Sequence, residues 1–161
     1  MKNRLYILGI FCLLGIQYSC TDYPEYPDTP EVEFVQAYTS VTETDKTIQF
    51  IFLLKDGDGD MGLGVADTTS PYIDSLYYNF HASILATKDN NTQVLPYGLL
   101  YRIPQIRSKD SKKFIKAEVT IDMYFARSLF PYDTIQLIYH VYDRALNKSN
   151  RDTSDVIVFI P

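Results

Sequence analysis

Residues 55–64 read KDGDGDMGLG, with Asp56, Asp58 and Asp60 at every second position and glycines between and after them. Three carboxylates inside five residues repel one another, whereas a turn needs only one or two such side chains. A counter-ion resolves that conflict. Calcium seeks six to eight hard oxygens from carboxylates and carbonyls on a loop that can curl around it. The intervening glycines supply the curl, letting successive aspartates converge instead of splaying to opposite sides of a strand.

Counted from Asp56, the order follows the opening of an EF-hand-type loop. Asp56, Asp58 and Asp60 fall at positions one, three and five, the Gly62 carbonyl at seven and Asp67 at twelve. Met61 stands where that loop needs glycine, and strands rather than helices flank the stretch, which argues against an EF-hand itself. The expectation is a free-standing calcium loop with ligands Asp56, Asp58, Asp60, Gly62 and Asp67, anchored into the core by Met61 and Leu63. A plain Asp/Gly turn between strands is the alternative.

Other site chemistry is sparse. His81 and His140 are the only histidines, and no HExxH or Cys/His cluster accompanies them, which excludes a zinc motif. No G-x-S-x-G turn is present. Asp67, Asp74 and Glu118 could furnish a carboxylate pair for glycoside hydrolysis, but nothing in their spacing singles them out. Tyr72, Tyr77, Tyr97 and Tyr101, around the long gap, read either as a carbohydrate-stacking platform or as strand and core residues. Asp67-Thr68-Thr69, Asp74-Ser75-Leu76 and Asp133-Thr134-Ile135 resemble the Asp-Ser/Thr-apolar O-glycosylation triplets of Bacteroidota.

The elements that must carry these residues are strands. From about residue 32 the dominant period is two. Ile48, Phe50, Phe52 and Leu54 share one face of TIQFIFLLK. Tyr78, Phe80, Ala82, Ile84 and Ala86 share one face of YYNFHASILATK, and KDNN (88–91) turns the chain into TQVL. Ile115, Ala117, Val119, Ile121 and Met123 alternate with polar residues, as do Ile135, Leu137, Tyr139 and Val141. With VEFVQAYT, GLLYRI and VIVFI the count is seven strands, and ARSLF (126–130) offers the one helical turn. Seven short strands with regular turns predict an all-β, antiparallel immunoglobulin-like β-sandwich over 32–161. The long gap at 56–76 is the exception, and such gaps in compact domains carry function or are disordered.

The ends give an address. Lys2 and Arg4 precede a twelve-residue apolar run, Leu5 to Ile16, which is the pattern of a secretory signal and shorter than a membrane span. Ser19-Cys20 follows, and Cys20 is the only cysteine beyond that run. This arrangement resembles the lipobox of bacterial lipoproteins, which implies that residues 1–19 are removed and Cys20 is acylated. Gln17 and Tyr18 depart from the usual lipobox pattern; an ordinary signal cut nearby is the alternative. Removal leaves 13 basic against 20 acidic residues, a charge of −7. Such a surface disfavours nucleic acid and flat binding to anionic lipid. Pro24, Pro27 and Pro30, interleaved with acids, predict an extended stalk over 20–31.

The closing stretch VYDRALNKSNRDTSDVIVFI resembles the last hairpin of bacterial immunoglobulin-like and fibronectin type III-like modules, through Asp143, Ala145, Asn147, Ser149 and Thr153. Leu146 stands where those modules often have glycine. Asp143 and Asn147 are read as turn-capping residues. The whole chain resembles small Bacteroidota lipoproteins of unassigned function that share the lipobox, the Pro/acid stalk, D-G-D-G-D-[IM]-G and this hairpin. The resemblance implies an outer-membrane lipoprotein of the bacterial cell envelope, held to the membrane by a lipid anchor and not an enzyme. It would serve as a binding or structural module for a protein or glycan partner. A small glycan hydrolase and an accessory subunit of an outer-membrane uptake complex are the competing expectations.

Overall fold

The computed structural model describes residues 25–106 and 114–160. Cys20 and the apolar N-terminal run lie outside them. In chain order the elements are β1 (Glu31–Val41), β2 (Asp45–Asp56), a 3-10 turn (Asp74–Tyr77), β3 (Phe80–Lys88), β4 (Asn91–Tyr101), β5 (Ile115–Ala126), β6 (Thr134–Val141), β7 (Asp152–Thr153) and β8 (Ile157–Val158). No described helix is long and apolar enough to cross a membrane.

The alternation read in the sequence drives this architecture, because β2, β3, β5 and β6 each present one apolar row that only a facing sheet can cover. One sheet has the order β1-β2-β5. The other has the order β4-β3-β6-β7, with β8 also paired to β6, and all the pairings are antiparallel. The two sheets pack as a β-sandwich. The seven expected strands are recovered with two adjustments. TQVL and GLLY belong to one strand, β4, whose pairing with β3 shifts register between Ser83 and Leu85. The expected last strand, VIVFI, forms only the two-residue β8, and a further two-residue strand, β7, precedes it. The helical turn expected at 126–130 is a single turn in which Phe130 N–H donates to the Ala126 carbonyl at 3.0 Å.

An aromatic cluster from both sheets fills the centre. Phe50, Phe52, Phe80 and Tyr139 are fully buried, with ring centroids 5.1 Å apart for Phe50–Tyr139 and 5.6 Å for Phe52–Phe80. Edge-on and tilted pairs of this kind add to the burial of ring area. One seam between the sheets is closed by side chains acting as a strand. Asn150 accepts from Val32 N–H and donates to Val32 carbonyl, both at 2.8 Å. Asp152 accepts from Phe34 N–H and from the Tyr139 hydroxyl.

The long connection between β2 and β3 is held by named contacts. Met61 and Leu63 are buried in the core, as their apolar character predicts. Leu63 N–H donates to Ile103 carbonyl, Gln105 N–H to Leu63 carbonyl and Ile106 N–H to Met61 carbonyl. The Arg102 guanidinium reaches the carbonyls of Tyr77, Gly64 and Asp67 and lies over the Tyr77 ring at 4.4 Å.

Candidate metal centre

The inward row of β2 runs Ile48, Phe50, Phe52, Leu54 and then Asp56, so the same period that buries four apolar residues carries a carboxylate into the interior. Asp56 pairs in register with Ile115 of β5 and is fully buried. On the facing sheet the row of β6 is Ile135, Leu137, Tyr139 and Val141, and two residues further stands Asp143, also fully buried. The two rows therefore end in acids at one pole of the sandwich. Between Asp56 and Asp60 the chain turns through Gly59, whose φ of 73° lies in the left-handed region that glycine enters without cost.

These folding choices gather Asp56, Asp60 and Asp143, each offering one carboxylate oxygen, with the three oxygens within 4.8 Å of one another. Calcium binds oxygens at about 2.3–2.6 Å, so oxygens spaced this way can all touch one ion. Both oxygens of Asp56 and Oδ1 of Asp60 are buried without a hydrogen-bond partner. The remaining Asp60 oxygen accepts the Ala145 N–H at 3.1 Å. Asp143 is held from behind, its two oxygens accepting the backbone and side-chain N–H of Asn147 at 2.7 and 2.8 Å.

The electrostatics record the same imbalance. Burial, followed by the charges of Asp58 and Asp60, pushes the Asp56 carboxyl up to about 7. Burial, followed by Asp143 and Asp58, pushes Asp60 up to about 6. Burial also raises Asp143, against the opposing pull of the Asn147 hydrogen bonds. Among the described residues no ion pair reaches these three acids; the pairs found there are Lys55–Glu33 and Arg144–Asp67. A buried carboxylate without a partner is costly, and a cation is the missing partner that this donor set accommodates.

Of the five ligands expected from sequence, Asp56 and Asp60 meet in this group. Asp58 is exposed at its margin and accepts the Asp60 N–H at 3.3 Å. Gly62 is buried at φ 90°, where a Cβ would collide with the Pro104 carbonyl oxygen. Asp67 is engaged elsewhere, accepting the Gly64 N–H at 2.7 Å and pairing with Arg144 at 3.2 Å. Asp143, read in the sequence as a turn-capping residue, caps its turn and is also the third acid. Its turn places Leu146 at φ 66°, in the left-handed region that favours glycine.

The remaining candidates are dispersed. Asp74 and Glu118 are exposed on different elements. The Tyr72 hydroxyl donates to Arg144 carbonyl, and Tyr101 packs against Phe80. His81 and His140 face each other across β3 and β6 with ring centroids 5.3 Å apart, and Tyr142 stands beside them. Burial, then the Lys148 charge, lowers His140 to about 4, so its imidazole is neutral near pH 7. Comparison with family models, curated proteins and solved structures finds no match to this chain.

Proposed function

We propose that the protein is a lipid-anchored binding or structural module of the bacterial cell envelope, an outer-membrane lipoprotein and not an enzyme, whose sandwich is clamped by calcium at Asp56, Asp60 and Asp143. The observation that carries the calcium reading is the Asp56 carboxylate, fully buried with both oxygens unpartnered beside two further acids. An all-oxygen, strongly anionic donor set favours a hard cation. Calcium fits better than magnesium, which demands near-ideal octahedral geometry and keeps several waters. The clamp ties the β2–β3 connection to the β6–β7 turn, which are 87 residues apart from Asp56 to Asp143. That leaves a rigid pole on which a protein or glycan partner can be recognised.

The chain from residue 21 onward contains every described element and serves for the test. Extracellular calcium modules often bind at about 0.1–1 mM, so 10 mM calcium chloride stabilises by about 1.4–2.7 kcal/mol through binding only the native state. The expected result is a melting temperature several degrees higher in calcium chloride than in chelator. Equal melting temperatures overturn the calcium clamp. For the anchor, Cys20→Ser in the full chain is expected to move the protein from the membrane to the soluble fraction of cells. Retention of the variant in membranes would count against acylation at Cys20.

A further inference from the structure

We infer that the cation locks the segment leading into β1, residues 25–30, onto the domain, and that removing the cation frees it. This rests on the calcium reading of the acidic centre. The segment is seated at the residue next to Asp56. Gly57 N–H donates to the Pro27 carbonyl at 2.8 Å. A Cβ on Gly57 would collide with the carbonyl oxygens of both Tyr26 and Pro27, so the two backbones touch because residue 57 has no side chain. The Tyr26 ring meets Phe114 edge-on, with centroids 5.5 Å apart. Phe114 precedes Ile115, the register partner of Asp56, and Pro30 is buried just before β1 begins. The segment therefore rests on the end of β2 and β5 that carries the acids.

The coupling follows from which acids can move. Asp56 is fixed by its pairing in β2, and Asp143 is fixed by Asn147. Asp58 and Asp60 ride on the glycine-containing turn between Gly57 and Met61. Without a cation, four carboxyl groups crowd one pole with no counter-charge between them, and the turn is the part that gives way. Its displacement carries the Gly57 N–H off the Pro27 carbonyl and opens the close backbone approach of residue 57 to Tyr26 and Pro27, so that the Tyr26–Phe114 contact is no longer backed by the turn. With the cation bound, the turn is drawn onto Asp56 and Asp143 and the seat is complete. The ion thereby sets whether residues 25–30 hold the domain in one orientation or let it swing.

The test uses the 15N-labelled chain from residue 21 onward, with 10 mM calcium chloride or with chelator, and reads backbone order at Tyr26, Asp28 and Thr29. Order parameters near about 0.85 are expected with calcium, falling below about 0.6 in chelator. In Gly57→Ala the three acids remain, so calcium still shifts the resonances of Asp56, Asp60 and Asp143. Tyr26, Asp28 and Thr29 are then expected to stay mobile even at saturating calcium. Because coupling is reciprocal, the variant's calcium affinity should fall by about fivefold. If calcium shifts the three aspartates of the wild type but leaves residues 26–29 equally ordered in both conditions, the lock is refuted while the metal centre stands. Ordered residues 26–29 in Gly57→Ala refute it as well. If calcium shifts none of the three aspartates, the metal centre fails and the lock with it.

Discussion

Asp56→Asn is expected to melt above the wild type in chelator and to show no calcium response. The two halves of that result have one origin. Asp56 is fully buried and neither of its oxygens has a partner, so at pH 8 the cation-free wild type carries an ionised carboxylate that the interior opposes. Asparagine has nearly the same shape, bears no charge and brings an amide that can donate to Asp60 or Asp143. Replacing a buried, uncompensated charge by a neutral group of similar volume stabilises by about 1–3 kcal/mol. That corresponds to a few degrees per kcal/mol in a domain of this size. In 10 mM calcium chloride the wild type gains about 1.4–2.7 kcal/mol and the variant, which has lost a ligand, gains none, so the gap seen in chelator closes by that amount. Calorimetry of both proteins under both conditions checks the closing. A variant that melts below the wild type in chelator would mean that the carboxylate is stabilising without an ion, and the metal reading would fall.

Much of this site was legible in the sequence, though the decisive signal was not the Asp-Gly-Asp-Gly-Asp pattern. That pattern placed an acidic turn correctly and drew attention to Asp56 and Asp60. It could not say which carboxylates converge, because that depends on where the chain bends. The period of two says more. Ile48, Phe50, Phe52, Leu54 and Asp56 form one row, and Ile135, Leu137, Tyr139, Val141 and Asp143 form another. Each row, extended by one step, ends on an acid that is carried inward with its apolar neighbours. Asp143 looks like a capping residue in the sequence because its partner Asn147 is local, whereas its approach to Asp56, with carboxylate oxygens within 4.8 Å, spans the two sheets.

Asp67 illustrates the opposite limit. Its spacing suited a twelfth ligand, but the Arg144 that claims it is 77 residues away in sequence, and no local pattern announces that pair. The strands were legible because burial of one face imposes their alternation. The path of the loop was not, because Arg102, Tyr72 and Asn79 fix it through backbone carbonyls and N–H groups that leave no periodic trace.

Asn79→Ala is expected to cost about 2–4 kcal/mol of folding stability and to weaken calcium binding, although Asn79 is no ligand. Asn79 is 1% exposed and stands where the long connection enters β3. Its side chain accepts the Ile103 N–H at 2.6 Å and donates to the Ile103 carbonyl at 3.1 Å. Its backbone donates to the Tyr101 carbonyl and accepts from Tyr142 N–H. One residue thus joins the ends of β4 and β6 to the start of β3. Alanine keeps the backbone bonds but leaves Ile103 N–H buried and unpaired, at about 1–3 kcal/mol, and opens a void where the amide was. Ile103 carbonyl retains the Leu63 N–H, so the loss there is partial. The same ladder continues from Leu63 to Gln105 and from Met61 to Ile106, and Met61 adjoins Asp60. Loosening Ile103 therefore loosens the support that holds Asp60 against Asp56 and Asp143. Urea unfolding gives the stability loss, and a calcium titration followed by calorimetry gives the affinity. A cost below about 1 kcal/mol, or an unchanged calcium affinity, would show that the acidic turn is positioned without this ladder.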